Sequence, residues 1–234
     1  MNVDAFREAL EREGVVTFSL KDAARVIRKH PSYTKLFLSR LAKRGKILRV
    51  ERGKYCLRTT SELEVASNLV YPSYISFLSA LAFHKLTTQI PVQVQVACAK
   101  QKKNISFGNV RIEFVTLKKS ALFGFRRFGN VFAAEPEKAI IDGLYLPGYL
   151  PLSEIFYALK HGELEVGKLR EYAYKLGSSV VKRRIGFLLE RAGAKESISL
   201  KNAKSTRYAL LNPLLTRKGE KNRKWMLLIN EVLE

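Results

Sequence analysis

The sequence predicts an α+β protein: an N-terminal winged helix-turn-helix, followed by a mixed α/β domain with a helical C-terminal part. Three observations support this fold class. Residues 1–58 give the order helix, helix, turn, helix and hairpin, residues 62–150 contain two strictly alternating apolar runs, and residues 151–234 show amphipathic helical spacing. We therefore expect three units with these boundaries, the third packed on the second.

The first two helices are defined by apolar spacing and by their end signals. Residues 4–12 place their apolar side chains on one face, and Gly14 ends the pattern. After a short β-rich stretch, Ser19 and Asp22 form a capping box, which predicts the start of a second helix. Pro31 is expected to break that helix, leaving a turn of about four residues. The predicted buried positions are Val3, Phe6, Leu10, Leu20, Ala23, Ala24 and Ile27.

The third helix is predicted to begin at Ser32 and to stop at Gly45. Its apolar residues recur at helical spacing and predict a buried face formed by Thr34, Phe37, Leu38 and Leu41. Residues 46–50 and 54–57 then form two predicted strands around a glycine-containing turn. This order is typical of a winged helix-turn-helix, in which the third helix enters the major groove of DNA.

The charge distribution indicates a polyanionic partner. The chain has 234 residues and a formal net charge of +21, from 42 basic and 21 acidic side chains. Residues 19–58 carry 13 basic and 2 acidic side chains, residues 59–155 carry 10 and 7, and residues 195–224 carry 9 and 2. Double-stranded DNA is the predicted partner of the first block, whereas a solvated surface is the favoured interpretation of the last.

The DNA-contacting residues are predicted from the outer face of the third helix and from the hairpin. Arg40 is the best candidate for a bidentate contact to guanine, because its planar fork matches two acceptors in the major groove. Lys35 and Lys43 are expected to contact phosphates, and the hairpin to follow the backbone or a minor groove. A winged helix that serves only protein contacts is the alternative. The predicted DNA-binding residues are Ser32, Tyr33, Lys35, Ser39, Arg40, Lys43, Arg49, Arg52 and Lys54.

The rest of the chain alternates strands and helices. Its predicted elements are a buried helix at 71–82, strands at 92–98 and 110–115, a basic connection at 100–109, a strand pair at 124–134, a helix after Pro136, helices at 152–161, 166–176 and 179–192, a strand at 208–211 and a last helix at 225–233. On the helix at 179–192 we predict that Lys182, Arg183 and Arg184 face outward. There they form a solvated face or a contact surface for phosphate or an acidic partner protein.

No feature of the sequence predicts an enzyme, a metal or a cofactor. Glu135, Glu137 and Asp142 are explained by a helix start and by an i,i+4 pair between Lys138 and Asp142. The three histidines are isolated in the sequence, so each is interpreted as a capping, packing or surface residue. Two distant cysteines, no secretory leader and no membrane-length apolar run predict a cytoplasmic protein without a membrane partner.

Three stretches of the sequence resemble one family. They are residues 40–47 together with 51–55, residues 74–76 together with 79–87, and residues 135–142. In this order and spacing they resemble the AbiEi family, the DNA-binding antitoxins and regulators that are paired with nucleotidyltransferase toxins in type IV toxin-antitoxin systems. The resemblance covers roughly residues 15–190, and the basic tail beyond Lys195 matches no motif of the family.

The resemblance implies an N-terminal winged helix that binds operator DNA and represses its own operon. It also implies a C-terminal effector domain that restrains a nucleotidyltransferase toxin. The alternative is an interaction protein whose main task is to bind a toxin through residues 60–234. A third hypothesis is an RNA-binding protein. The sequence leaves a homodimer open.

Overall fold

The computed structural model describes residues 2–194 and 207–233. The N-terminal elements follow the predicted order, and Asn2 begins the first helix by accepting a hydrogen bond from the Ala5 amide at 2.8 Å. They are α1 (Val3–Arg12), β1 (Thr17–Phe18), α2 (Leu20–Ile27), α3 (Pro31–Lys43), β2 (Ile47–Glu51) and β3 (Lys54–Leu57). The three strands form an antiparallel sheet in the order β1-β3-β2. This arrangement confirms the predicted winged helix-turn-helix.

The turn between α2 and α3 is shorter than predicted. Helix α2 ends at Ile27, because Arg28 adopts a left-handed conformation with φ 52°. Pro31 does not break α2 but occupies the first turn of α3, where its missing N–H has no helical acceptor to lose. The prediction that α3 begins at Ser32 is therefore one residue late.

A compact apolar cluster holds the N-terminal elements together. The Phe6 ring packs edge-on against Phe18 and against Phe37, with both centroid separations 5.4 Å. The cluster draws on every helix and on the sheet of this unit. Its buried members are Phe6, Leu10, Phe18, Ala23, Val26, Ile27, Leu38, Leu41 and Ile47.

A six-stranded sheet forms the centre of the rest of the molecule, in the order β6-β7-β5-β4-β9-β8. Strands β5 and β7 are parallel, as are β4 and β9, and the other neighbours are antiparallel. The helices and strands between residues 62 and 145 are α4 (Glu62–Asn68), β4 (Ser73–Ile75), α5 (Phe77–Phe83), β5 (Gln93–Cys98), β6 (Ile105–Phe107), β7 (Val110–Thr116), β8 (Phe125–Phe128), β9 (Val131–Ala134) and α6 (Pro136–Tyr145).

Three further helices and a small sheet follow in the described part of the chain. They are α7 (Leu152–His161), α8 (Val166–Leu176), α9 (Ser179–Arg191), β10 (Ala209–Leu210), β11 (Glu220–Asn222) and β12 (Leu227–Ile229), with the strands in the order β10-β12-β11. One continuous apolar core extends from Val50 to Leu233, so the C-terminal helices share their core with the six-stranded sheet. The boundaries between the three predicted units stay predictions.

Three predicted elements are wrong. The helix expected over residues 71–82 contains β4, a fully buried strand between β5 and β9, and only its second half is helical. The basic connection at 100–109 contains the edge strand β6. The helix expected at 225–233 contains β12, which pairs with β10 and β11. Short apolar runs do not distinguish a buried strand from a helix, and strand pairing with distant residues decides the outcome.

Within the described parts of the chain, no helix combines the length and the apolar character needed to cross a lipid bilayer.

Candidate nucleic-acid interface

Helix α3 has one buried and one exposed face. Thr34, Leu38 and Leu41 are 0–4% exposed and point into the N-terminal core, and Phe37 packs at its margin. Because an α-helix repeats about every 3.6 residues, the opposite face is centred on Leu36. The other exposed side chains within about 60° of that centre are Ser32, Tyr33, Ser39, Arg40 and Lys43.

Local contacts fix the start and the orientation of α3. The His30 ring accepts a long hydrogen bond of 3.4 Å from the Ser32 amide and thereby caps the helix. Thr34 is the buried polar residue of the inner face, and its hydroxyl donates to the carbonyl oxygen of His30 at 3.1 Å. Tyr33 stacks on Phe37 with the two rings nearly parallel, 8° apart. These contacts orient the exposed face of α3 relative to the apolar core beneath it.

The basic residues of α3 have no partner within the described part of the protein. Lys35, Arg40 and Lys43 are exposed and form no hydrogen bond or ion pair with any described residue. Arg40 and Lys43 lie near the centre of the outer face, whereas Lys35 lies about 100° from it, on the flank. An α-helix fits the major groove of DNA, so unpaired cations on its exposed face are available to phosphates and base edges.

The wing, formed by β2, β3 and the turn between them, carries the remaining predicted residues. Arg49 and Arg52 are exposed, and Lys54 is half-buried. The Arg49 guanidinium donates to the carbonyl oxygen of Glu51 at 3.3 Å. Gly53 has φ +76°, a left-handed conformation that glycine adopts without strain and that allows the tight turn between the strands.

Both acidic residues of this basic segment are already engaged. Asp22 accepts hydrogen bonds from the Ser19 amide at 2.9 Å and from its hydroxyl at 2.7 Å. Burial by itself would raise the pKa of Asp22, but these bonds and the charges of Lys54 and Arg25 lower it below its usual value. The carboxylate of Glu51 pairs with the Lys102 ammonium at 2.6 Å. Neither carboxylate therefore neutralises the cations of α3.

The structure brings the six predicted residues of α3 onto one exposed side of the helix and leaves three on the wing. Their contact with DNA stays a prediction. Sequence reasoning missed Leu36, which is 52% exposed at the centre of the same face. From the sequence, Leu36 was assigned to neither face of the helix, although helical spacing alone places it on the outer one.

The prediction that Arg183 and Arg184 face outward is wrong. They are only 4% and 7% exposed. Arg183 donates to the carbonyl oxygens of Arg207 and Met226 at 3.1 and 2.9 Å. Arg184 donates twice to the carbonyl oxygen of Leu210, at 3.1 and 3.0 Å, and once to that of Leu144, at 3.0 Å.

The reason is that α9 is packed on both sides. Helices α6, α7 and α8 pack on α9, and the two arginines also bind backbone carbonyls in and next to β10 and β12. Burial, together with the neighbouring charge of Arg183, lowers the pKa of Arg184 to about 10. Lys182 is the remaining member of the triplet and is half-buried, with its ammonium 4.3 Å from the ring centroid of Tyr174.

The acidic residues near the start of α6 take part in structural contacts. Asp142 is fully buried, pairs with Lys138 and accepts hydrogen bonds from Ser76 at 2.8 Å and from Tyr74 at 3.1 Å. Glu137 accepts a hydrogen bond of 2.9 Å from the Glu165 amide. The predicted pair of Lys138 and Asp142 is confirmed. Across residues 2–194 and 207–233, no three His, Cys, Asp or Glu side chains meet as metal ligands.

Comparisons with known proteins bear on the winged helix-turn-helix and on the overall fold. Residues 7–58 match the family model described as a transcriptional regulator, AbiEi antitoxin, which confirms the resemblance over the winged helix-turn-helix. The fold is similar to the crystal structure of the RV2827C protein from Mycobacterium tuberculosis, with 12% sequence identity and a TM-score of 0.61 over 96% of this chain and 90% of that chain. At this identity the likeness shows a shared fold. A search of curated proteins gave no match.

Proposed function

We propose that this chain, whose residues 7–58 are of the AbiEi regulator type, is a sequence-specific DNA-binding transcriptional regulator. The observation that carries the proposal is the outer face of α3, where Arg40 and Lys43 are exposed and unpaired within the described residues. In a helix-turn-helix this is the face that enters the major groove. Arg40 reads guanine, and the lysines contact phosphates.

The electrostatics of the segment support a duplex as partner. Asp22 bonds to Ser19 and Glu51 pairs with Lys102, so neither of the two carboxylates of the segment forms an ion pair with Arg40 or Lys43. Each phosphate contact releases a counterion, and binding is expected to weaken steeply with salt. A domain that only contacted protein would have little use for this surplus.

A gel-shift titration with the DNA upstream of the chain's own gene tests the proposal. The full chain should prefer that fragment to a random duplex of equal length at about 150 mM salt. A promoter-reporter fusion then tests autorepression, which Arg40→Ala should relieve. Equal affinity for both duplexes would overturn sequence-specific regulation.

Neutralisation of a nucleotidyltransferase toxin is the second part of the proposal. The loop before β5 exposes Ile90 and Val92, at 92% and 94%, beyond a base that is fixed by hydrogen bonds from Thr88 to the carboxylate of Glu154. Exposed apolar side chains on such a loop are available for contact with a partner protein. Co-expression with a nucleotidyltransferase encoded next to the gene should rescue growth and yield a complex that Ile90→Asp weakens. Failure to co-purify with such a neighbour would contradict this role.

A homodimer is the proposed binding unit on DNA. Two copies on a palindrome would contact half-sites about 34 Å apart, or a multiple of that distance. A footprint with one uninterrupted contact region would contradict the dimer while leaving DNA binding intact.

A further inference from the structure

Leu36 occupies the centre of the exposed face of α3 without serving the core. Its side chain is 52% exposed, whereas Leu38 and Leu41 on the same helix are 4% and 2% exposed. It lies on the side of α3 opposite the N-terminal apolar cluster, against which Phe37 packs. Folding therefore gives no reason for a leucine at this position.

The surroundings of Leu36 make an apolar patch with a polar and cationic rim. Tyr33, one turn earlier on the helix, is 46% exposed and lies beside Leu36 on the same face. Arg40 and Lys43 follow one and two turns later, and Ser32 and Ser39 complete the rim. Contiguous apolar surface enclosed by polar residues is typical of a contact site.

In a major groove, one base edge offers an apolar group that such a centre can contact. The cationic rim suits the phosphates on both sides of the groove, whereas the apolar centre gains nothing from hydrogen-bonding base edges. Thymine alone presents a methyl group there, at its C5 position. Burying that methyl group against Leu36 removes apolar surface of both molecules from water.

We infer that Leu36 is a specificity-determining residue that reads the 5-methyl group of thymine in the operator. The inference rests on the proposed function. Leu36 and Arg40 are separated by one helical turn, so their β-carbons lie about 5–6 Å apart. The thymine is accordingly expected within about two base pairs of the guanine that Arg40 contacts, since base pairs rise by about 3.4 Å.

The experiment combines a protein variant with a DNA variant. The probe is the duplex that the full wild-type chain selects from a randomised library, and each thymine of its consensus is replaced in turn by deoxyuridine, which lacks only the methyl group. One replacement should weaken wild-type binding about fourfold, the effect of one buried methyl group. Leu36→Ala should weaken binding to the methylated probe about tenfold and should be insensitive to that replacement.

Two controls separate the outcomes. Leu214→Ala makes the same change at a side chain that is 64% exposed in the C-terminal part, and it should leave both affinities unchanged. Leu36→Met, which keeps an apolar side chain, should restore sensitivity to the methyl group. Circular dichroism of each variant verifies folding.

The inference is overturned if Leu36→Ala binds as tightly as the wild type, or if it keeps the wild-type sensitivity at every thymine. Both results leave sequence-specific binding by the wild type intact. Failure of the selection to give any consensus would instead remove the proposed function, and this inference with it.

Discussion

Helices α3 and α9 carry similar basic residues, but those of α3 are exposed and two of those of α9 are buried. On α3, Arg40 and Lys43 are exposed and meet no described partner. On α9, Arg183 and Arg184 are buried and donate hydrogen bonds to backbone carbonyl oxygens of the protein itself. The first helix covers a core on one side only, whereas the second is covered on both sides.

This difference teaches that a cation on a helix is evidence of a ligand only when the helix has a free face. A buried guanidinium satisfies carbonyl groups that would otherwise be costly to remove from water. An exposed one contributes little to stability and remains available for binding. Substitutions should therefore separate the two helices: α9 variants should lose stability, and α3 variants should lose DNA affinity.

The largest effect is expected for Arg184→Met. The substitution leaves the carbonyl oxygens of Leu210 and Leu144 without their donor, and we expect a loss of about 3 kcal/mol in the free energy of unfolding. Urea denaturation followed by the fluorescence of Trp225, the chain's one tryptophan, measures it. Lys182→Met on the same helix removes only a contact with the Tyr174 ring and should cost about 0.5 kcal/mol. Equal losses for the two variants would contradict the distinction between the buried Arg184 and the half-buried Lys182.

Arg40→Ala is the counterpart on α3. It should weaken specific binding by about 2 kcal/mol and random-duplex binding much less, because guanine readout is lost together with one charge. The unfolding midpoint should stay at the wild-type value, since the side chain has no described partner. Titration of the upstream fragment and of a scrambled duplex at one salt concentration gives both numbers. A loss of stability without a change in specificity would show that Arg40 stabilises the fold, as Arg183 and Arg184 do, and does not read DNA.

The same comparison explains which parts of the fold could be predicted from the sequence. The N-terminal unit was predictable because its signals are local: Ser19 with Asp22 starts α2, and the spacing of Leu38 and Leu41 sets the inner face of α3. In contrast, strands β4 and β12 depend on pairing with residues far away in the chain. No local pattern encodes such partners.

The candidate site was predictable to the same extent. The exposed cations of α3 followed from helical spacing, but the burial of Arg183 and Arg184 depends on β10 and β12 lying against α9. That contact joins residues more than twenty positions apart. Leu36 is a different case, since its place on the outer face follows from local helical spacing, but no role was assigned to it from the sequence.

A smaller effect is expected for Lys43→Ala. A lysine that contacts phosphate carries no sequence information, so binding to the upstream fragment and to the scrambled duplex should weaken by about the same amount, near 1 kcal/mol. The slope of log affinity against log salt should fall by about 1, the loss of one phosphate contact. Lys119→Ala, at an exposed lysine outside the basic block at 19–58, is the matched lysine control and should leave both affinities and the slope unchanged. Preferential loss of specific binding would show that Lys43 reads a base instead.

The smallest effect is expected for Asp22→Asn. This substitution tests whether the negative charge of Asp22 stabilises the folded DNA-binding unit. Asp22 caps α2 by accepting hydrogen bonds from Ser19. Because these bonds lower its pKa in the folded protein, the carboxylate contributes stability above its unfolded pKa and loses it as the pH falls through the folded value. The variant should cost about 0.5 kcal/mol at pH 7, and the difference from wild type should vanish in acid. Urea denaturation followed by circular dichroism at both pH values measures the change, with Glu8→Gln as an exposed carboxylate control on α1. A cost that stays constant down to acid pH would mean that the geometry of the cap, and not the charge of Asp22, stabilises the start of α2.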